Sequence, residues 1–125
     1  LKGQAQVNFW ESSLADASTC EMFFLPDGAL LLEGSLEHDA LGAGTTLSVG
    51  YAAHTSSAGA AVAASAAAYK AAAASTSAQK VDILATLALG SGTETDTNED
   101  GVAITVTNAN TATGTIELTI KYVVD

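Results

Sequence analysis

At 125 residues the chain is long enough for one domain with a sizeable core, and with only 6% aromatic residues that core has to be aliphatic. Fourteen acids against four lysines and no arginine give a net charge of −10, which argues against nucleic acid as a partner, because displacing phosphate counterions needs cations. No apolar run approaches the ~20 residues that cross a bilayer, the first residues lack the basic-then-apolar layout of a secretory leader, and the single Cys20 cannot close an internal disulfide.

Residues 1–18 carry little pattern. Val7, Phe9 and Trp10 are their main anchors and Leu14 a lesser one, so this stretch reads as an N-terminal arm or an edge strand. It precedes a β-sandwich domain expected over residues 19–125. A tryptophan in a terminal arm suits its own core or a partner's surface equally, and Val7, Phe9 and Trp10 are the candidate partner-binding residues. Residues 19–25 read as a strand with Cys20, Met22 and Phe24 on one face and Glu21, Phe23 and Leu25 on the other. Both faces are largely apolar, so burial on both sides is expected. Pro26-Asp27-Gly28 is a turn: proline presets φ and glycine accepts a positive one. Residues 29–37 form the next strand, with Leu30, Leu32 and Leu36 sharing a face. A loop over 39–44 leads into a short strand over 45–51, with Leu47, Val49 and Tyr51 aligned.

Residues 52–78 are mostly alanine and serine. Alanine is the best helix former, so the insertion is expected to hold one short helix within residues 59–75, with an irregular loop as the alternative. Extended patterning returns over 81–89, where Val81, Ile83, Ala85, Leu87 and Leu89 share a face. A polar, acidic loop over 90–101 follows. Residues 102–125 then alternate without interruption on both sides of a polar turn at 108–114. Val102, Ile104 and Val106 share one face, and Ile116, Leu118, Ile120, Tyr122 and Val124 another. This reads as a closing hairpin. Six or seven glycine-punctuated strands predict an all-β fold, an antiparallel β-sandwich or jelly roll.

The sharpest chemical signal is Asp96-Thr97-Asn98-Glu99-Asp100-Gly101, the first half of a calcium-loop pattern with oxygens at alternate positions. Asp96, Asn98 and Asp100 are therefore candidate calcium ligands, with Glu94 or Glu99 able to complete a weak site. Thr107 stands where an EF-hand needs its bidentate glutamate, and a strand follows instead of a helix. The competing reading is a solvated acidic turn. His38 and His54 share no metal spacing and read as ordinary surface or loop histidines. Cys20 reads as a small buried hydrophobe. No nucleophile motif or phosphate-binding glycine loop occurs, so no enzyme is expected and no catalytic residue is nominated.

Three runs carry a family resemblance: Ala29-Leu30-Leu31-Leu32-Glu33-Gly34, then Gly44-Thr45-Thr46-Leu47-Ser48-Val49-Gly50, and, beyond the Ala/Ser-rich insertion, Gly114-Thr115-Ile116-Glu117-Leu118-Thr119-Ile120-Lys121-Tyr122-Val123. Together they resemble a group of small structural proteins of tailed bacteriophages, over roughly residues 26–125. The resemblance implies a virion component made in the host cytoplasm, most simply a capsid decoration (cement) protein. Such a protein binds the major capsid protein or other virion subunits of the assembled shell as a homo-oligomer, a trimer. It brings no catalytic residue or cofactor. The alternatives are a tail or fibre module, another surface adhesion subunit, or a carbohydrate-binding jelly roll, for which Trp10, Tyr51 and Tyr69 are the stacking candidates.

Overall fold

The computed structural model describes residues 2–83, 93–95, 97 and 101–124, and over 2–12, 93–94 and 124 it describes the backbone path. The strands are β1 (Lys2–Leu14), β2 (Thr19–Leu25), β3 (Leu30–His38), β4 (Thr46–Tyr51), β5 (His54–Thr55), β6 (Ala61–Val62), β7 (Ser65–Ala74), β8 (Gln79–Ile83), β9 (Thr93–Glu94), β10 (Val102–Ala109) and β11 (Ala112–Val124). Every pairing is antiparallel. One sheet runs β1-β11-β3-β8, with β9 also on β3. The other runs β2-β10-β4-β7, and β5 and β6 pair by themselves. The long strands swap sheets in a nested order, β1 and β11 in one, β2 and β10 in the other, then β3 and β8, then β4 and β7. That winding is a jelly roll. No helix occurs among the described residues.

The inner faces of both sheets share one core. Leu25, Leu31, Leu36, Ile104, Ile116, Leu118 and Ile120 are all but fully buried in it. Each such side chain contributes roughly 1.5–3 kcal/mol by leaving water. The alternation in 102–124 marks these inward-facing residues, but only β11 has the wet opposite face it implies: in β10 Ala103 and Thr105 are buried as well. The expected hairpin, however, does not form: β10 pairs with β2 and β4, and β11 with β1 and β3. The chain turns the corner between sheets at Asn110, whose φ of 62° lies in the left-handed region. Alternation states which face of a strand is buried. It does not state whether the next strand covers that face from the opposite sheet or continues the same one.

The Ala-rich insertion also departs from expectation, forming strand β7 where a helix was predicted. Alanine's propensity is small per residue, and a helix here would have no apolar stripe to bury. The open edge of β4 instead supplies β7 with a hydrogen-bonding partner. The pairing slips twice along its length, and Gly50 makes the closest approach possible: a Cβ there would lie 1.8 Å from the Ser65 carbonyl oxygen.

Two register shifts reverse the expected phase of neighbouring strands. In β2 a shift opposite Ile104 and Thr105 leaves Met22, Phe23 and Leu25 buried and Phe24 63% exposed. The strand is thus an edge strand with one wet face, carrying Thr19, Glu21 and Phe24, not one buried on both sides. In β3 a shift opposite Lys121 and Tyr122 turns Leu31 inward and leaves Leu32 44% exposed. An extra residue in one strand of a pair breaks the rule that i and i+2 share a face. The alignment of Leu47, Val49 and Tyr51 holds, with the first two buried. Of the stretch expected over 81–89, Val81 and Ile83 lie in β8, and residues 84–89 lie outside the described residues.

Candidate functional site

The calcium candidates Asp96, Asn98 and Asp100 lie outside the described residues. The approach to them is described. Gly28 donates its backbone N–H to the Thr95 carbonyl at 2.9 Å, and Thr95 donates its own to Ala29 at 2.9 Å. The Thr95 hydroxyl donates to the Pro26 carbonyl at 2.7 Å and accepts from the Ala29 N–H at 3.0 Å. Thr97 donates its N–H to Asp27 Oδ1 at 2.9 Å. These bonds place the Asp27 carboxylate at the entrance to the acidic loop, 70 positions away in sequence. No periodicity or spacing could have signalled that neighbour. Among the described residues no group of three His, Cys, Asp or Glu side chains is placed to hold a metal ion.

His38 is buried at the end of β3, not on the surface as expected, and its Nδ1–H donates to the Asp39 carbonyl at 2.7 Å. His54 is half-buried, donates from Nδ1 to the Ala52 carbonyl at 2.9 Å, and meets Tyr51 edge-on at 5.2 Å between ring centroids. Tyr51 in turn lies 6.0 Å from Tyr69. Burial, and secondarily the neighbouring Tyr51, pushes the Tyr69 hydroxyl up to about 12. Two of the three sugar-stacking candidates, Tyr51 and Tyr69, therefore lean on each other and on the core, at the irregular end of the β4–β7 pairing. Cys20 is buried, and desolvation raises its thiol pKa, as for an inert core cysteine.

The outer face of β3, β8 and β11 is polar and forms an open groove of about 450 Å³. Lys121 pairs with Glu33 at 2.8 Å along it, and both side chains are well exposed. Glu37 stands opposite Glu117 on one side and Lys80 on the other. The row therefore sets two like charges side by side, with one lysine to offset them.

The candidate partner-binding residues belong to a strand that is paired along its whole length. Val7, Phe9 and Trp10 take register opposite Thr119, Glu117 and Ile116. β1 is the edge of its sheet. Phe24 was not singled out from sequence as a surface residue. Only the register shift in β2 brings it outward, although the polar Thr19 and Glu21 already marked that face as wet.

No protein-family model matches the chain, and no curated protein matches it in sequence. Its fold is similar to known ones. A chain in the capsid of Ralstonia phage GP4 superposes with a TM-score of 0.72 and 22% identity, over 99% of this chain and 85% of that one. A chain in the capsid asymmetric unit of cyanophage Pam1 superposes with a TM-score of 0.59 and 21% identity, over 96% and 84%. At this identity the likeness is one of fold.

Proposed function

We propose that this protein is a structural component of a tailed-phage virion, a decoration protein that binds the assembled capsid shell. The observation that carries the reading is the near end-to-end correspondence, 99% of this chain and 85% of the other, with a chain of a phage capsid. It is joined by the resemblance of residues 26–125 to small structural proteins of tailed phages. The acidic surface, at a net charge of −10, is consistent with the role, since it keeps the free protein soluble before it reaches the shell.

Copies act as a homo-oligomer, a trimer on the family resemblance, so that several weak contacts add up on a repeating lattice. Val7, Phe9 and Trp10 on the edge strand β1 are the proposed anchors on the major capsid protein, because aromatic anchors carry a large share of binding energy. Co-sedimentation with purified shells lacking the protein tests the reading. The wild-type chain pellets with shells to saturation, and serine at Phe9 and Trp10 lowers occupancy at least tenfold. A protein that stays in the supernatant, or a label found at the tail in negative-stain images, sinks the decoration role.

A further inference from the structure

The sheet β2-β10-β4-β7 ends in two strands, β2 and β7, with no outer partner among the described residues. Unpaired edges are templates for another strand, and proteins usually blunt them with charge or proline. β7 has neither defence in strength. It is ten residues long, holds no proline, and its one charge is Lys70. Ala66, Ala67, Ala68 and Ala71 to Ala74 are exposed along it. The absence of acid extends beyond the strand. All fourteen acids of the chain lie outside residues 40–81, which carry two of its four lysines. In a molecule of net charge −10, the β7 edge is one that another acidic strand can approach without meeting an acid on β7 itself.

The opposite edge has complementary character. β2 exposes Glu21 and Phe24, the latter at 63% the most exposed large hydrophobic side chain described, and Asp16 and Asp27 flank the strand. The directions also fit. β2 runs parallel to β4 and therefore antiparallel to β7. One copy set beside the next in the same orientation thus brings β7 and β2 together as an antiparallel pair, with no inversion of either molecule.

We propose that β7 of one copy pairs with β2 of a second copy, head to tail, so that this sheet continues from subunit to subunit. The contact gives Phe24 a cover of alanine side chains and sets Lys70 on the edge facing Glu21. A head-to-tail contact uses two different patches, so it closes into a ring when the rotation permits. The inference rests on the homo-oligomer reading above and assigns its interface, leaving the β1 edge free for the shell.

Sedimentation velocity of the full chain tests it. The wild-type protein is expected to sediment as a closed oligomer. Ala72→Glu on β7 and Phe24→Ser on β2 are each expected to sediment as monomers with wild-type circular dichroism. An equimolar mixture of the two variants recovers a dimer, because each supplies the edge that the other lacks. A monomeric wild-type protein overturns the proposal. So does a Phe24→Ser protein that keeps the wild-type assembly, which would indicate a β7-to-β7 contact. If Ala72→Glu fails to fold, Ala68→Glu repeats the test on the same strand. Shell binding is scored separately. A monomer that decorates shells sinks this contact alone, and an oligomer that ignores shells sinks the decoration role alone.

Discussion

Ser75 donates its hydroxyl to Thr45 Oγ1 at 2.9 Å, and both residues are fully buried although 30 positions separate them. The Thr45 hydroxyl passes the chain on to the Gly42 carbonyl at 2.9 Å, and the Ser75 backbone N–H returns to the Thr45 carbonyl at 2.9 Å. This double clamp fastens the end of the Ala-rich strand to the start of β4. Thr45→Val leaves the buried Ser75 hydroxyl without its acceptor, while the Gly42 carbonyl keeps the Thr45 N–H at 3.4 Å, and is expected to cost about 1–3 kcal/mol. Ser75→Ala removes only a donor and should cost about 1 kcal/mol. Urea unfolding of both variants and the double variant should show non-additive losses, since the two hydroxyls belong to one chain of bonds.

Gly50 tests the close passage of β7 over β4. A Cβ at this position meets the Ser65 carbonyl oxygen at 1.8 Å and the Ala66 carbonyl carbon at 2.6 Å, both backbone atoms. Gly50→Ala should therefore fail to fold or lose on the order of 3–5 kcal/mol. Gly28→Ala is the control. It has open space around it and only a φ of +73° to accommodate, which costs about 1–2 kcal/mol. Comparable melting temperatures for the two variants would refute the packing of β7 on Gly50.

The phase of β3 separates two adjacent leucines. Leu31→Ala should cost about 2–5 kcal/mol, since the side chain is 1% exposed. Leu32→Ala, at 44% exposure, should stay within about 1 kcal/mol of wild type. Equilibrium denaturation distinguishes this from an unshifted strand, which would exchange the two outcomes.

Alkaline titration should show a late phenolate step from Tyr69. Burial favours the neutral phenol, so its folded pKa of about 12 exceeds the ordinary value of 10.0. The resulting stabilisation is complete below pH 10 and is lost as the pH rises through about 12. The last phenolate absorbance step should disappear in Tyr69→Phe, and stability should fall less steeply with pH in that window. A residual fall is expected from Cys20, whose thiol pKa burial also raises. A late step that persists unchanged in Tyr69→Phe would refute the assignment to Tyr69.

Much of this protein follows from local pattern alone. Ile104, Val106, Ile116, Leu118 and Ile120 had to be strand residues with one buried face, because β-branched alternation leaves no other way to hide them. The turn at Pro26-Asp27-Gly28 and the aligned Leu47 and Val49 were legible for the same reason: each depends on residues within a few positions. The acid-free span between Asp39 and Asp82 is also plain in the sequence, but its location at a sheet edge is not. Pairing partners belong to the tertiary structure. β10 and β11 bury the same faces whether joined as a hairpin or set in opposite sheets, and the energy of their alternation does not distinguish the two. The Ala-rich strand had a helical preference of a few tenths of a kcal/mol per residue. The unfilled edge of β4, the clamp at Thr45 and Ser75 and the bare backbone of Gly50 outweigh it, and each lies some fifteen or more positions from the residues it governs. Phe24 and Leu32 show the same division at single-residue scale. In each strand one extra residue shifts the phase, and the registers that admit them are set by the neighbouring strands β10 and β11.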